Sequence, residues 1–376
     1  MLIAVTKETA VGETRVAATP ETVKKFIALG LPVVVQSGAG LAASIPDAAY
    51  VAAGAQLAAD SQAALSGADI VLKVAAPNAD EVAHIKSGAA VVAMFSPHQN
   101  ELLDTYAAKS LTCVAMELIP RITRAHSSDV LSSQANLAGY KAVLLAANEY
   151  AGLFPMMMTA AGTIKPARVL VLGVGVAGLQ AIATAKRLGA VVEASDLRPA
   201  AKEQVESLGG RWLDVPMSDE EKSKALGTGG YAWQPSPEYV REQSVAVDKA
   251  VSNANIVITT AQIPGRKAPV LIKTDTVAKM QAGSVVIDMA VSSGGNVEGS
   301  QAEQTVVTEN GVRIIGISNI PALVATEASA LYARNLFNFL APMIDKDTAQ
   351  LALKRDDEMV KPTLIVDNGT VLYVKP

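Results

Sequence analysis

Three glycines at fixed spacing, Gly173, Gly175 and Gly178 in GVGVAG, are the residues of this chain whose pattern most directly specifies chemistry. They follow the apolar run VLVL and open the helical pattern AGLQAIATAKRLG. In a strand–turn–helix unit each glycine has a separate steric duty. Gly173 makes the tight turn, Gly175 lets a pyrophosphate approach the backbone, and Gly178 lets the helix pack on the strand. Val176 and Ala177 then begin the helix, where unpaired N–H groups and the helix dipole favour a phosphate.

A lone GxGxxG is a weak signal, so its surroundings decide the reading. A second strand pattern, Val191–Ser195, follows the helix, and Asp196 stands 18 residues after Gly178. A carboxylate at that strand end accepts hydrogen bonds from the adenosine ribose hydroxyls and repels a 2′-phosphate, which selects NAD(H) over NADP(H). Arg198, two residues on, adds a cation that complicates the selection. The competing reading is a Gly-rich turn in a sheet that binds nothing.

Elements able to carry such a site recur along the chain. In the first third, short β-branched runs alternate with helical patterns: Leu2–Val5, Pro20–Leu29, Val33–Gln36, Asp69–Val74, Ala79–Lys86, Ala89–Phe95, Glu101–Lys109 and Leu111–Met116. Asp47 is placed to cap the Ala-rich stretch 48–53, which Gly54 ends. A long helical pattern from about Ser132 to Leu153, ended by Pro155, leads to a second alternation of six strand patterns: Arg168–Leu172, Val191–Ser195, Arg211–Val215, Asn255–Thr260, Ser284–Ala290 and Val312–Ile317. Residues 216–238, rich in Gly, Pro, Ser and charge, read as a flap over the site. A second long helical pattern follows Ile317, and Thr363–Val374 reads as a hairpin about Asp367-Asn368-Gly369. The expected fold is therefore α/β, with two Rossmann-like, doubly wound parallel-sheet domains joined by long helices. The first domain is discontinuous, 1–132 plus 319–376, and the second, 133–318, carries the cofactor site and the flap.

Composition excludes several functions. The chain has 376 residues with 32 Lys and Arg against 36 Asp and Glu, a net charge of −4 with no basic cluster, so nucleic acid is not an expected partner. The single cysteine, Cys113, reads as a small buried hydrophobe, consistent with a reducing compartment. Three histidines and one cysteine form no group at metal-ligand spacing. The N-terminus lacks the basic segment of a signal peptide. The uncharged stretch of 17 residues after Arg168 is shorter than the about 20 apolar residues of a membrane span. Met156–Met158 reads as core.

Several stretches resemble the NAD(H)-binding alpha subunit of proton-translocating nicotinamide nucleotide transhydrogenase, whose fold is shared with alanine dehydrogenase. They include Lys7-Glu8 with Glu13–Ala17, Met116–Ile122, Leu131–Gln134, Asn136–Tyr140, Met156–Gly162, the Gly-rich turn, Lys202–Gly210, Thr259-Thr260-Ala261 and Ala333–Leu340, and together they span nearly the whole chain. The resemblance implies a homodimer that holds NAD(H) while a partner subunit holds NADP(H), with hydride passing directly between the nicotinamide rings. It also implies cytoplasmic placement, peripheral on the inner membrane through a membrane-spanning subunit. That the chain ends at Pro376 without a hydrophobic tail points to the split form of the complex.

By the same resemblance, Arg121, Asp129 and Ser132 hold the carboxamide and ribose at the nicotinamide end. Tyr231 is a lid tyrosine, and Thr260 and Ala261 join the cofactor-binding residues. There are departures. His126 stands where the family usually has a glutamine that reaches toward the partner's NADP(H), Gln262 replaces an apolar residue, and Ala75-Ala76 replaces a more polar pair. The runner-up is an amino-acid dehydrogenase of the alanine dehydrogenase type. Arg15 and Lys73 match its carboxylate- and carbonyl-binding residues, but its catalytic His and Asp fall near Phe95 and on Ser292, with His98 close to the first position. A third alternative is a non-catalytic NAD(H)-binding module.

Overall fold

A computed structural model of the chain describes residues 1–215, 218, 221, 236–263, 265–345 and 347–375. The chain divides into two compact units, Met1–Gln134 with Pro321–Pro376, and Ala135–Ile320.

The first unit is built on an eight-stranded sheet. Its spatial order is Thr370–Val371, Leu364–Asp367, Thr112–Ala115, Ala90–Met94, Ile70–Ala75, Ile3–Val5, Val33–Gln36 and Gln56–Ala58. All pairs are parallel except those made by the two C-terminal strands. The sequence explains this arrangement, because successive residues of each strand enter opposite cores. Ile3, Val5, Val33, Val35, Ile70 and Leu72 face one core, and Ala4, Val34, Val71, Val91 and Cys113 face the other. Strands apolar on both faces belong inside a parallel sheet covered by helices on each side. The C-terminal hairpin turns at Asn368 and Gly369, both with positive φ (46° and 84°), as a two-residue turn of this kind requires.

The second unit repeats the plan with seven strands, in the order Arg211–Trp212, Val191–Ser195, Arg168–Leu172, Ile256–Thr259, Val285–Asp288, Arg313–Gly316 and Gln304–Val307. Only the last pair is antiparallel. Val169, Val171, Ile256, Ile258, Val285 and Ile287 face one core, and Leu170, Leu172, Val257 and Val286 the other. The first strand in sequence, Arg168–Leu172, lies between the second, Val191–Ser195, and the later Ile256–Thr259, so the chain leaves it in opposite directions. That reversal opens a crevice at the carboxyl ends of the strands, where ligands of such sheets bind. The expected α/β class, with Rossmann-like, mainly parallel sheets, matches what is observed.

Four local expectations are corrected. Asp47 is not a helix cap, because the helix Asp47–Ala52 has Pro46 at its N-cap and the Asp47 carboxylate instead accepts from Ser37 Oγ at 2.6 Å and Gly38 N at 2.9 Å. The long helix spans Val130–Glu149 and stops six residues before Pro155. Met156, Met157 and Met158 are 61%, 44% and 79% exposed rather than core. Met157–Thr159 pairs with Gly162–Ile164 in a hairpin of its own, outside both main sheets, and apolar composition does not reveal this. Two edge strands, Gln56–Ala58 and Gln304–Val307, add to the expected set, and their residues are largely exposed and lack a buried apolar face. Tyr231 and most of the flap 216–238 lie outside the described residues.

Candidate functional site

The crevice of the second unit is lined by the Gly-rich turn. Gly173 has φ +95°, its N–H donates to the Ser195 carbonyl, and its own carbonyl accepts from Thr260 Oγ1 at 2.9 Å. A Cβ on Gly173 would stand 2.7 Å from Thr260 Oγ1 and 3.0 Å from Ala261 N. Thr260 is in turn fixed by its N–H bond to the Leu172 carbonyl. Thr260 and Ala261 therefore form the wall of the turn, at the end of the neighbouring strand.

The other two glycines behave differently. A Cβ on Gly178 would come within 2.0 Å of the Gly173 carbonyl oxygen, so the helix Val176–Arg187 rests directly on the turn. A Cβ on Gly175 would meet nothing within 4 Å. Gly175 is the N-cap of that helix and has no capping side chain, so its flank is open beside the first helical amides. Open backbone at a helix N-terminus is what a pyrophosphate needs. Gly139, on the helix Val130–Glu149, closes the far side, where its Cβ would meet the Ala177 carbonyl oxygen at 2.1 Å.

Asp196 stands just past Val191–Ser195, only 11% exposed in its side chain. One carboxylate oxygen accepts from Val174 N at 2.7 Å and Arg198 Nη2 at 3.1 Å. The other accepts from Arg198 N at 2.8 Å and Arg198 Nε at 2.9 Å. Arg198 Nη2 also reaches the Val174 carbonyl at 3.0 Å. The bonded carboxylate raises the Arg198 pKa above its ordinary value, against the opposing effect of burial. Asp196 thereby holds both the turn and the residues that follow it.

A second buried carboxylate, absent from the sequence-based candidates, fixes the opposite wall. Asp288 is fully buried and accepts from Ala290 N, Asn296 N and Val297 N at 3.0–3.2 Å. The loop it folds presents Asn296, whose amide brackets Ala261, accepting from Ala261 N at 3.1 Å and donating to the Ala261 carbonyl at 2.9 Å. An Asp closing the strand Val285–Asp288 ahead of Gly294-Gly295-Asn296 is the available sequence signal, since positive φ at both glycines (99° and 78°) wraps the loop back on the carboxylate. The fully buried charge is compensated by these backbone donors.

The loop from Arg121 to Ser132 belongs to the first unit. Thr123–Ser128 is a 3-10 helix, anchored by Arg124, which forks onto Asp357 at 2.7 and 3.1 Å. Arg121 and His126 are exposed, and Asp129 and Ser132 half-buried. Asp129 accepts from Ser132 N at 2.9 Å and Ser132 Oγ at 2.5 Å, so its carboxylate caps the start of the helix Val130–Glu149. These two bonds leave one lone pair on each oxygen for a further donor.

Arg15 and Lys73, the residues an amino-acid dehydrogenase would need, are engaged internally. Arg15 is 5% exposed and forks onto Glu13 through Nε at 2.8 Å and Nη2 at 2.7 Å, while Nη1 donates to Gln134. The Lys73 ammonium is 1% exposed and spends its three protons on Glu81 at 2.8 Å, Glu8 at 3.2 Å and Thr6 at 3.3 Å. Burial holds the Glu8 carboxyl above its ordinary pKa, and Lys73 opposes that rise. His98 and Ser292 are both exposed, and Phe95 is buried. Among the described residues no group of His, Cys, Asp and Glu is arranged to hold a metal, and no helix is long and apolar enough to cross a membrane. Cys113 is buried, and burial raises its thiol pKa well above the ordinary range.

Residues 4–138 match the N-terminal domain of the alanine dehydrogenase/PNT family, and residues 142–374 match its C-terminal domain. The first segment of the NAD(P) transhydrogenase subunit alpha of Rhodospirillum rubrum is 52% identical over 99% of this chain and 98% of its own length. Alanine dehydrogenase of Halomonas elongata is 31% identical over 99% of this chain and 95% of its own. The crystal structure of transhydrogenase from Sinorhizobium meliloti superposes with a TM-score of 0.89 at 47% identity, covering 99% of this chain and all of that one. Two domain matches, an end-to-end alignment at half identity and a shared architecture place this chain in the alanine dehydrogenase/PNT family, among the transhydrogenase alpha subunits.

Proposed function

We propose that this chain is the NAD(H)-binding subunit of a proton-translocating nicotinamide nucleotide transhydrogenase. Hydride would pass directly from its NADH to NADP⁺ held on a partner subunit. The observation that carries the reading is the open flank of Gly175 at the helix N-terminus, with Asp196 pinning the same turn. Gly173, Gly175, Val176, Ala177 and Gly178 hold the pyrophosphate, Asp196 holds the adenosine ribose with Arg198 at the edge of that position, and Thr260 and Ala261 flank the turn. Arg121, Asp129 and Ser132 orient the nicotinamide end, a guanidinium donating to the carboxamide oxygen and a carboxylate accepting from its NH₂. In this scheme Tyr231 covers the cofactor and His126 reaches toward the partner's nucleotide. The working assembly is a homodimer, cytoplasmic and peripheral on the inner membrane, joined to an NADP(H)-binding subunit and a membrane-spanning subunit. Neighbouring coding sequences for those two subunits would be the simplest support.

Bound NADH would supply the hydride, and transfer between two nicotinamides requires no protein acid or base. It requires proximity and orientation, with the reacting ring carbons roughly 3–3.5 Å apart. The residues of this chain therefore bind and aim rather than move protons, in accord with the internal engagement of Arg15 and Lys73. NADH is expected to bind at least tenfold more tightly than NADPH, in fluorescence titrations of the isolated protein with each nucleotide. Equal dissociation constants would refute the role of Asp196.

An amino-acid dehydrogenase must also move protons at a bound 2-oxo acid. With the Arg15 fork and all three Lys73 protons already committed, the isolated protein is expected neither to oxidise alanine with NAD⁺ nor to reduce pyruvate with ammonium and NADH. Steady turnover of a few per second, an ordinary enzymatic rate, in either direction would restore the dehydrogenase reading.

A further inference from the structure

We propose that Arg198 is a latch on Asp196, displaced when the adenosine ribose binds, and that its freed guanidinium weakens the discrimination against a 2′-phosphate. The inference rests on the NAD(H)-binding reading above and adds a specificity-determining residue to it.

A carboxylate offers about four lone-pair sites, two on each oxygen. All four of Asp196 are occupied: two by backbone amides, Val174 N and Arg198 N, and two by the side chain of Arg198, through Nε and Nη2. The backbone bonds hold the turn that receives the pyrophosphate, and breaking them would cost the site its shape. The side-chain bonds to Asp196 are joined by one from Nη2 to the Val174 carbonyl, so release of the guanidinium also gives up that contact, while the Val174 and Arg198 amides still tie the turn to Asp196. The Arg198 side chain is 32% exposed, so it can leave toward solvent.

A ribose diol brings two hydroxyl donors, the same number that Arg198 contributes through its side chain. Binding is therefore an exchange, in which two guanidinium donors give way to two hydroxyls while both amide bonds persist. The guanidinium regains hydration as it leaves, and the two hydroxyls replace the donors it withdraws, so the carboxylate stays fully bonded throughout the exchange.

The displaced guanidinium remains attached two residues from Asp196, at the edge of the ribose position. For NADH it has no anionic partner there. For NADPH it can fork onto the 2′-phosphate and offset part of the repulsion that Asp196 exerts. Selectivity at this site is then set by two opposed side chains rather than by Asp196 alone.

The test is equilibrium titration of the full chain with NADH and with NADPH, for wild type, Arg198→Ala and Arg198→Lys. Arg198→Ala is expected to bind NADH at least as tightly as wild type and to raise the NADPH-to-NADH ratio of dissociation constants about fivefold or more. Arg198→Lys keeps the charge and is expected to hold that ratio within about twofold of wild type. Thermal unfolding without nucleotide confirms that each variant is folded, and Arg198→Gln serves if the alanine variant is not. If wild type binds NADH while neutral variants leave the ratio unchanged, the latch is refuted and the binding reading stands. Failure of wild type to bind NADH at all would remove both.

Discussion

Gly178→Ala is expected to lower NADH affinity by at least 100-fold and the unfolding temperature by several degrees. Its Cβ would stand 2.0 Å from the Gly173 carbonyl oxygen and 3.0 Å from the carbonyl carbon, and both obstacles are backbone. No rotamer change relieves such a clash, so the helix Val176–Arg187 must move away from the turn and carry its N-terminal amides with it. Overpacking of this kind costs about 1–3 kcal/mol, and in a domain of this size each kcal/mol is worth roughly 2–4 °C. Gly175→Ala separates binding from folding. Its Cβ meets no protein atom within 4 Å, so the variant should unfold at the wild-type temperature. The added methyl would nonetheless occupy the space through which a pyrophosphate approaches, so NADH affinity should fall. Thermal unfolding and NADH titration of both variants decide the matter. A Gly175→Ala protein with wild-type affinity would mean that nothing binds against this turn.

The contrast between these glycines indicates what a sequence can reveal. The turn is legible because its determinants are local: an apolar strand, three glycines and a helix in consecutive residues, each with its own steric reason. The two sheets are legible because strands buried on both faces require β-branched runs, and such runs recur in Val33–Gln36, Ile70–Ala75 and Val285–Asp288. Exposed edge strands carry no comparable pattern, and Gln304–Val307 is missing from the expected strands. The walls of the crevice are legible only in part, for a different reason. Asp288 acts through Asn296 on Ala261, across 35 residues, and every bond along that relay involves backbone amides or carbonyls, which leave no trace in side-chain identity. The saturation of Asp196 is half visible, since Arg198 stands out in the sequence as a complicating cation. Its two backbone partners depend on how the turn closes. Met156–Met158 misleads because apolarity alone does not distinguish a core strand from an exposed hairpin.

Arg121→Ala is expected to slow hydride transfer by at least tenfold while leaving NADH affinity within about threefold of wild type. In the proposed site the pyrophosphate and adenosine groups supply most of the binding, through the Gly-rich turn and Asp196. Arg121 instead orients the carboxamide of the nicotinamide, so its loss is felt when one ring must meet another. A displacement of about 1 Å can cost on the order of 100-fold in rate, and tenfold corresponds to about 1.4 kcal/mol of barrier. Asp129 belongs to the same proposal but is the poorer probe, because its carboxylate caps the helix Val130–Glu149 through Ser132 and its removal would mix helix destabilisation with loss of orientation. Capping losses alone run to about 1 kcal/mol. Arg121 is exposed, and the loop keeps its Arg124–Asp357 anchor when Arg121 is truncated. Stopped-flow transfer from NADH to an NADP⁺ analogue, on the complex reconstituted with an NADP-binding partner and saturated with both nucleotides, measures the step directly. A variant that transfers at the wild-type rate under those conditions would show that Arg121 lies on a solvated connection and aims nothing.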